Sequence, residues 1–329
     1  MTDRISITPE NESAWHLLRT QDVTSTESAA LFGMSPYATE FELFHRKREG
    51  AVVEIDQTGR MFWGTMLQDT IAKGIAQLYG VKVRRVNAYM RLPSRMGSSF
   101  DFEIIGVVDE QGEGIGFSGD NLLRDMYRSF GVGNLEIKNV DSLVFREQWA
   151  VNDDKSIEAP DHIEVQVQHQ LHVSGRAWAA IGVLVGGNAP KILIRHRDLE
   201  VGQSIESKVR AFWQRVEAND PPPPEFPEDA AFLCKLHGYA EPGKIFDGRG
   251  NADLATLARD YQQASVSEKQ AKEDKEVAKA KMLAIIGDAE KALIDGFNLS
   301  AGLVGPTRIE YARAGYRTFR CAEKKSRAA

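Results

Sequence analysis

The run Asn134-Leu135-Glu136-Ile137-Lys138-Asn139-Val140 is short and apolar, yet it bears one carboxylate and one ammonium group. Successive side chains of a strand point to opposite faces, so Glu136 and Lys138 project together while Leu135, Ile137 and Val140 supply the β-forming apolar content. An acid and a cation then share one small site. Phosphodiester hydrolysis can use such a pair: the carboxylate binds a hard divalent cation, and the ammonium group orients water or stabilises charge on the phosphate. Other acid-x-Lys triplets, beginning at Asp153, Glu206, Glu273 and Glu323, lie in polar surroundings that read as solvated surface.

Upstream of this run, Met96 to Val107 (MGSSFDFEIIGV) reads as a strand with Asp101 in its middle. An unpaired carboxylate there is expensive to bury, so Asp101 needs a cation or a donor. Val81 to Arg91 alternates enough for a neighbouring strand. Before it, Phe62 to Thr65 opens a helix through Met66 to Tyr79, whose Leu67, Ile71, Ile75 and Leu78 define a buried face that Gly80 ends. Gln68 and Asp69 sit one turn into that helix, beside its buried edge. Between Val108 and Gly133 the glycines predict a loop with a short helix at Asn121 to Ser129, and Asp120 is a rival acid in it.

Downstream, Pro160 suits a helix start, and Gln166 and Gln170 fall one turn apart on one face of that helix. His169 and His172 share it, with burial or surface exposure preferred to metal binding because no third ligand is in view. Trp178 to Gly186 and Lys191 to His196 read as neighbouring strands, and Val201 to Asn219 as a closing amphipathic helix. Near the beginning, Trp15 to Ser28 is followed by a helical stretch, a Gly33 to Pro36 break and a second helix. Ser25, Thr26 and Ser28 precede the first of these as candidate caps, and with Arg19 they could also bind phosphate at a helix N-terminus.

A chain of 329 residues, 42% hydrophobic and 27% charged, is that of an ordinary soluble protein of about two domains. No run approaches the roughly 20 apolar residues that span a bilayer, and the polar Met1 to Glu12 lacks a signal-peptide core, so a cytoplasmic protein without membrane association is expected. Cys234 and Cys321 are too far apart for a metal motif. A net charge of −6 excludes a basic coat over the whole protein but not local phosphate contacts. Asp220-Pro-Pro-Pro-Pro-Glu225 marks a boundary, since four prolines form a stiff spacer. Beyond it, Ala252 to Leu293 predicts one long helix or a helical hairpin. Arg308 to Arg320 predicts a hairpin turning at Ala314-Gly315, in a basic end that suits either solvent or DNA.

In order, a helix with Gln68 and Asp69, a strand with Asp101, a strand with Glu136 and Lys138 and a helix with Gln166 resemble the PD-(D/E)xK nuclease superfamily. WHLLR at Trp15, SSFD at Ser98, LEIKNVD at Leu135 and HIEVQVQHQLHVSG at His162 are similar to motifs of the lambda-exonuclease or YqaJ-like viral recombinase family of phage alkaline exonucleases. The resemblance spans roughly Trp15 to His196. It implies an α/β core with a central mixed sheet flanked by helices, over residues 1–219. A Pro-rich linker (220–228) would lead to a helical and hairpin extension (229–329) for oligomer, DNA or partner contacts.

By the same resemblance, Asp101, Glu136 and the Ile137 backbone carbonyl would hold one or two Mg²⁺ or Mn²⁺ ions. Lys138 would activate water, and Gln166 would orient the site. Arg19 with Thr26, or Ser25, would bind a terminal 5′-phosphate. The family usually has a glutamate where this chain has Gln68, so either Asp69 substitutes or a second ion is held less tightly. Phe100 stands where a proline would precede Asp101, and proline contributes no ligand. The implied activity is metal-dependent 5′-to-3′ degradation of one strand of linear duplex DNA, by a ring-shaped homo-oligomer, such as a trimer, working beside a single-strand annealing protein in phage recombination. The alternatives are a catalytically weakened scaffold that binds DNA ends, and an endonuclease on the same fold.

Overall fold

The computed structural model describes residues 3–50, 58–108, 121–153, 156–308, 310, 315 and 317–322. The elements of its first part are β1 (Ile5–Ile7), α1 (Glu12–Gln21), β2 (Val23–Thr24), α2 (Glu40–Glu49), α3 (Gly59–Tyr79), β3 (Val81–Arg85), β4 (Tyr89–Arg91), β5 (Met96–Ser99), β6 (Phe102–Val107), α4 (Leu122–Phe130) and β7 (Gly133–Val140). There follow α5 (Ser142–Gln148), β8 (Ala150–Val151), β9 (Ile157–Glu158), α6 (Asp161–Ser174), β10 (Trp178–Val185), β11 (Ala189–His196) and α7 (Leu199–Ala218). The rest is α8 (Ala230–Leu236), α9 (Ala252–Ile286), β12 (Lys291–Ile294) and β13 (Phe297–Ser300).

The main sheet has the order β11-β10-β7-β6-β3. β7 and β10 pair in parallel and the other neighbours are antiparallel, so the sheet is mixed. A parallel pair needs a crossover, and the segment containing α6 makes it. Period-two alternation then divides the strands between two cores. Leu135 and Ile137 of β7 with Ala180 of β10 pack against Ile71, Ala72 and Ile75 of α3 and Leu123 of α4. Ala179, Ile181 and Val183 of β10 pack on the opposite side against Phe145 and Trp149 and against Ile163, Val167 and Leu171 of α6. Each fully buried aliphatic side chain is worth about 1.5–3 kcal/mol. The helix-facing approach is close at Gly182, where a Cβ would stand 2.4 Å from Ile75 Cδ1.

A smaller sheet, β1-β4-β5-β2, carries the third core, in which Val23, Leu92 and Met96 meet Leu43 and Phe44 of α2 and Val209 and Phe212 of α7. Two sequence expectations are corrected here. Val81 to Arg91 is two strands, β3 in the main sheet and β4 in the small one. Met96 to Val107 is likewise broken, and Asp101 sits at the bend between β5 and β6 rather than inside one strand. An apolar run that changes sheets looks continuous in sequence because both halves are buried.

α3 begins earlier than expected, at Gly59, with Thr58 as its cap, and ends at Gly80 in the left-handed conformation (φ 62°). The expected helix after Ser28 is a single 3-10 stretch, Ser28–Phe32, whose N-cap position holds Glu27 without a side-chain cap bond, so none of the three hydroxyls caps it. Among the described residues no helix is long and apolar enough to cross a membrane.

The chain divides into two compact units, Met1–Phe232 and Leu233–Ala329. The proline stretch lies in the first. There buried Asp229 accepts from Thr39 Oγ1 at 2.6 Å and from the Glu225 N–H at 2.7 Å. In the second unit α9 is a single helix with no buried residue. It stops at Ile286, not Leu293, because Gly287 follows and Lys291–Ile294 turns through Asp295-Gly296 to pair with Phe297–Ser300. Six of the thirteen residues of the hairpin expected at Arg308 to Arg320 lie outside the described residues. Those that are described there, 308, 310, 315 and 317–320, carry no strand. Asp120, Arg313, Lys324, Lys325 and Arg327 also lie outside.

Candidate active site

β7 places Glu136 and Lys138 on the face that looks toward α6, as their two-residue spacing requires. Antiparallel pairing of Phe102 with Leu135 brings the preceding residue, Asp101, alongside Glu136. The Ile137 N–H donates to Asp101 Oδ2 at 2.9 Å. Glu136, only 4% exposed, is surrounded by donors. Its Oε1 accepts from Lys138 Nζ at 2.7 Å and from Gln166 Nε2 at 2.6 Å, and its Oε2 accepts from Gln170 Nε2 at 2.8 Å. Lys138 Nζ also donates to Gln166 Oε1 at 3.1 Å, closing a triangle.

These contacts set the charges. Burial pulls the Lys138 ammonium down, but Glu136, its hydrogen bond and Asp101 together outweigh burial and leave Lys138 above its ordinary value. Asp101 is pushed up to about 7, first by burial and then by the Glu136 carboxylate, against donation from Ile137, the Lys138 charge and a hydrogen bond from Gln68. Two carboxylates crowd one site that one ammonium does not fully neutralise.

Gln68 and Asp69 part company. Asp69 turns to Arg85, which donates to its Oδ1 at 2.7 and 3.0 Å, and both side chains are largely exposed. The same guanidinium donates to Gln68 Oε1 at 3.2 Å, leaving the Gln68 amide hydrogens for Asp101. Arg85 itself lies over the Phe102 ring at 5.0 Å. The geometry therefore gives Gln68, not Asp69, the place beside Asp101.

The early residues form a second cluster. Arg19 lies over the Trp15 ring at 4.6 Å and reaches Thr26 Oγ1 at 3.5 Å, and Trp15 Nε1 donates to Ser99 Oγ at 2.7 Å. Thr26 is exposed, whereas Ser25 is buried against Ser98 Oγ at 3.1 Å, so Thr26 is the hydroxyl open to a ligand. Buried Lys47 braces this cluster: Nζ donates to the Arg19 carbonyl at 2.7 Å and to Glu27 Oε1 at 2.9 Å. Glu27 Oε2 in turn accepts from the Thr24 N–H and Oγ1 at 2.9 and 2.8 Å. A cavity of about 880 Å³ lined by Thr26, Tyr37, Trp63, Lys138, His162 and Gln166, among others, joins the two clusters. Its size is that of pockets that enclose small molecules.

Gln170, Arg85, Lys47 and Glu27 were not singled out as site residues in the sequence. Gln170 had a signal, its spacing of four from Gln166; the others carry none, because their partners lie far away along the chain. His169 is buried with Nε2 2.9 Å from the Gly97 carbonyl, and His172 pairs with Glu206 at 2.9 Å, so neither faces the acids. Among the described residues no group of three or more His, Cys, Asp or Glu side chains stands ready for a metal. Asp101 and Glu136 nonetheless fit a hard divalent cation, which binds through one or two carboxylates and would offset the burial and the Glu136 charge that hold Asp101 up.

Adjoining strands of a mixed sheet that bring an aspartate beside Glu-x-Lys, with flanking helices, define a PD-(D/E)xK core. Residues 14–177, about half of the chain, match the model of the YqaJ-like viral recombinase domain, and the chain belongs to that family. It is 27% identical over 237 residues to the uncharacterized protein YqaJ of Bacillus subtilis (strain 168), covering 71% of this chain and 66% of that protein. The match thus spans just under two thirds of that relative's length. Among solved structures, the alkaline exonuclease LHK-Exo from Laribacter hongkongensis shares 21% identity at a TM-score of 0.45, over 63% of this chain and 94% of that one. The complex of LHK-Exo with dAMP gives 20% identity and a TM-score of 0.46 over the same shares.

Proposed function

We propose that this protein is a metal-dependent 5′-to-3′ exodeoxyribonuclease that shortens one strand of linear double-stranded DNA and releases nucleotides carrying 5′-phosphates. The observation that carries this reading is the cavity that runs from Thr26 to Lys138 and Gln166. A terminal phosphate held at Thr26 would share that cavity with the next phosphodiester at Lys138.

Arg19 and the Thr26 hydroxyl donate to the terminal phosphate, the guanidinium being the group suited to bidentate phosphate contact. Lys138, kept charged by Glu136, donates to the attacking water or to a phosphate oxygen, and Gln166 fixes the ammonium in place. Water attacks phosphorus in line and the bond to the 3′ oxygen breaks. The first nucleotide leaves with its 5′-phosphate and a 3′-hydroxyl, and the new end again bears a 5′-phosphate. Asp101, Glu136 and the Ile137 carbonyl are the groups that would hold Mg²⁺ or Mn²⁺. The chemistry supplied by such a cation, when bound, is neutralisation of charge on the phosphate and acidification of water. Gln68 contributes no charge, which favours one tightly held ion over two. A homo-oligomeric ring and a single-strand annealing partner belong to the same reading and rest on family membership.

The test is release of acid-soluble nucleotides from a 5′-phosphorylated linear duplex and from a closed circle, with Mg²⁺ or with chelator. Metal-dependent loss of the linear substrate alone, abolished in Lys138→Ala, is the expected result. Cutting of the circle would make the protein an endonuclease. Ends bound but never cut would make it an end-binding scaffold.

A further inference from the structure

The cavity wall includes the rings of Tyr37, Trp63, Trp149 and His162. Tyr37 follows the 3-10 stretch and is 74% exposed. Its ring meets the His162 imidazole edge to face, with centroids 5.6 Å apart and planes at 89°. A perpendicular pair leaves a face of each ring open to a third flat group.

His162 lies in the first turn of α6, one turn before Gln166 and two before Gln170, so it stands on the helix face that holds Glu136 and Lys138. Both rings line the same cavity as Lys138 and Thr26. A ligand with one phosphate at Thr26 and the next at Lys138 brings the group between them into the cavity whose wall includes Tyr37 and His162. In a DNA strand that is a nucleoside, whose base is the flat group that aromatic rings hold regardless of sequence.

We propose that Tyr37 and His162 form the wall that holds the base of the terminal nucleotide, and so position the following phosphodiester at Lys138. This rests on the exonuclease reading for its substrate class. Both are positioning residues, because the base they hold takes no part in bond breaking.

The experiment uses the full chain and two 5′-phosphorylated linear duplexes that differ only in the terminal nucleotide of the degraded strand, one natural and one an abasic tetrahydrofuran residue. Release of the first nucleotide is timed in Mg²⁺, and affinity for the same ends is measured in chelator. Wild type should act on the abasic end about tenfold more slowly and bind it less tightly, as expected for one base stacked on aromatic rings. Tyr37→Ala should lose that discrimination on both readouts, and Tyr37→Phe should keep it. His162→Ala is the second variant and should narrow the difference. Equal rates and affinities for both ends in wild type, or full discrimination retained in Tyr37→Ala, would overturn the wall while leaving an active exonuclease standing. Ends bound with the discrimination but never cut would overturn the exonuclease reading and leave the wall in place.

Discussion

Gln170 Nε2 donates to Glu136 Oε2 at 2.8 Å, on the carboxylate oxygen that Lys138 and Gln166 leave free. A buried carboxylate with both oxygens engaged has one orientation, and a metal ligand that loses such support typically costs 10–100-fold in affinity or activity. Gln170→Ala is therefore expected to lower the nucleotide release rate about tenfold and to raise the Mg²⁺ concentration needed, with the far-ultraviolet dichroism unchanged. Gln170→Glu should be worse than Gln170→Ala, because it sets a second negative charge against Glu136. A titration of activity against Mg²⁺ for both variants checks the order.

Gln68 donates to Asp101 where a glutamate would add a third carboxylate. Gln68→Glu is expected to destabilise the protein in chelator, since three acids then share the site, and to regain that stability when Mg²⁺ is added. Half-maximal activity should fall at a lower Mg²⁺ concentration than in wild type. Thermal melts with and without metal would show it. Equal melting shifts in both conditions would refute it.

Buried Lys47 and partly buried Glu27 pair at 2.8 Å. Breaking such a pair from the lysine side leaves an uncompensated carboxylate, at a cost below the roughly 3–5 kcal/mol of a fully buried pair because Glu27 keeps some access to water. Lys47→Met should show this in urea denaturation, and Lys47→Met with Glu27→Gln should recover most of the loss. Because Lys47 also anchors the Arg19 carbonyl, Lys47→Met should blunt the preference for 5′-phosphate over 5′-hydroxyl ends, which is read by competing the two.

His169 is held well below the ordinary histidine value, at about 3, because burial opposes its charged form. The unfolded chain takes up this proton near pH 6.5 and the folded one does not until about pH 3. His169 thus contributes stability that is complete well above pH 6.5 and is lost as pH falls toward 3, by about 1 kcal/mol over the first unit below 6.5. Unfolding free energies at pH 7 and 5.5 should differ by about that amount more in wild type than in His169→Gln, whose amide can still donate to the Gly97 carbonyl.

The central strand was legible because its physics is local. Alternation alone puts Glu136 and Lys138 on one face and Leu135 and Ile137 on the other, and a spacing of four puts Gln166 and Gln170 together on α6. Asp101 was legible as a costly carboxylate but not as a bend, since burial on both sides of it hides the change of sheet. The choice between Gln68 and Asp69 was closed to sequence reasoning. It turns on Arg85, sixteen residues beyond Asp69 on another element, which captures the aspartate and orients the amide.

The bend at Asp101 ties the two sheets into one gauge. β2, which lies between Arg19 and Thr26, pairs with β5 through Val23 with Met96 and Thr24 with Gly97, and β5 runs on through Ser99 and Phe100 to Asp101. The part that would grip the end of a strand and the acid that would help to cut it are thus a few peptide units apart on one hydrogen-bonded ribbon. On the proposed reading, backbone spacing along that ribbon would help the side chains around Thr26 and Lys138 to set the length removed at each turnover. A residue inserted between Ser99 and Asp101 would recalibrate the step instead of merely slowing it.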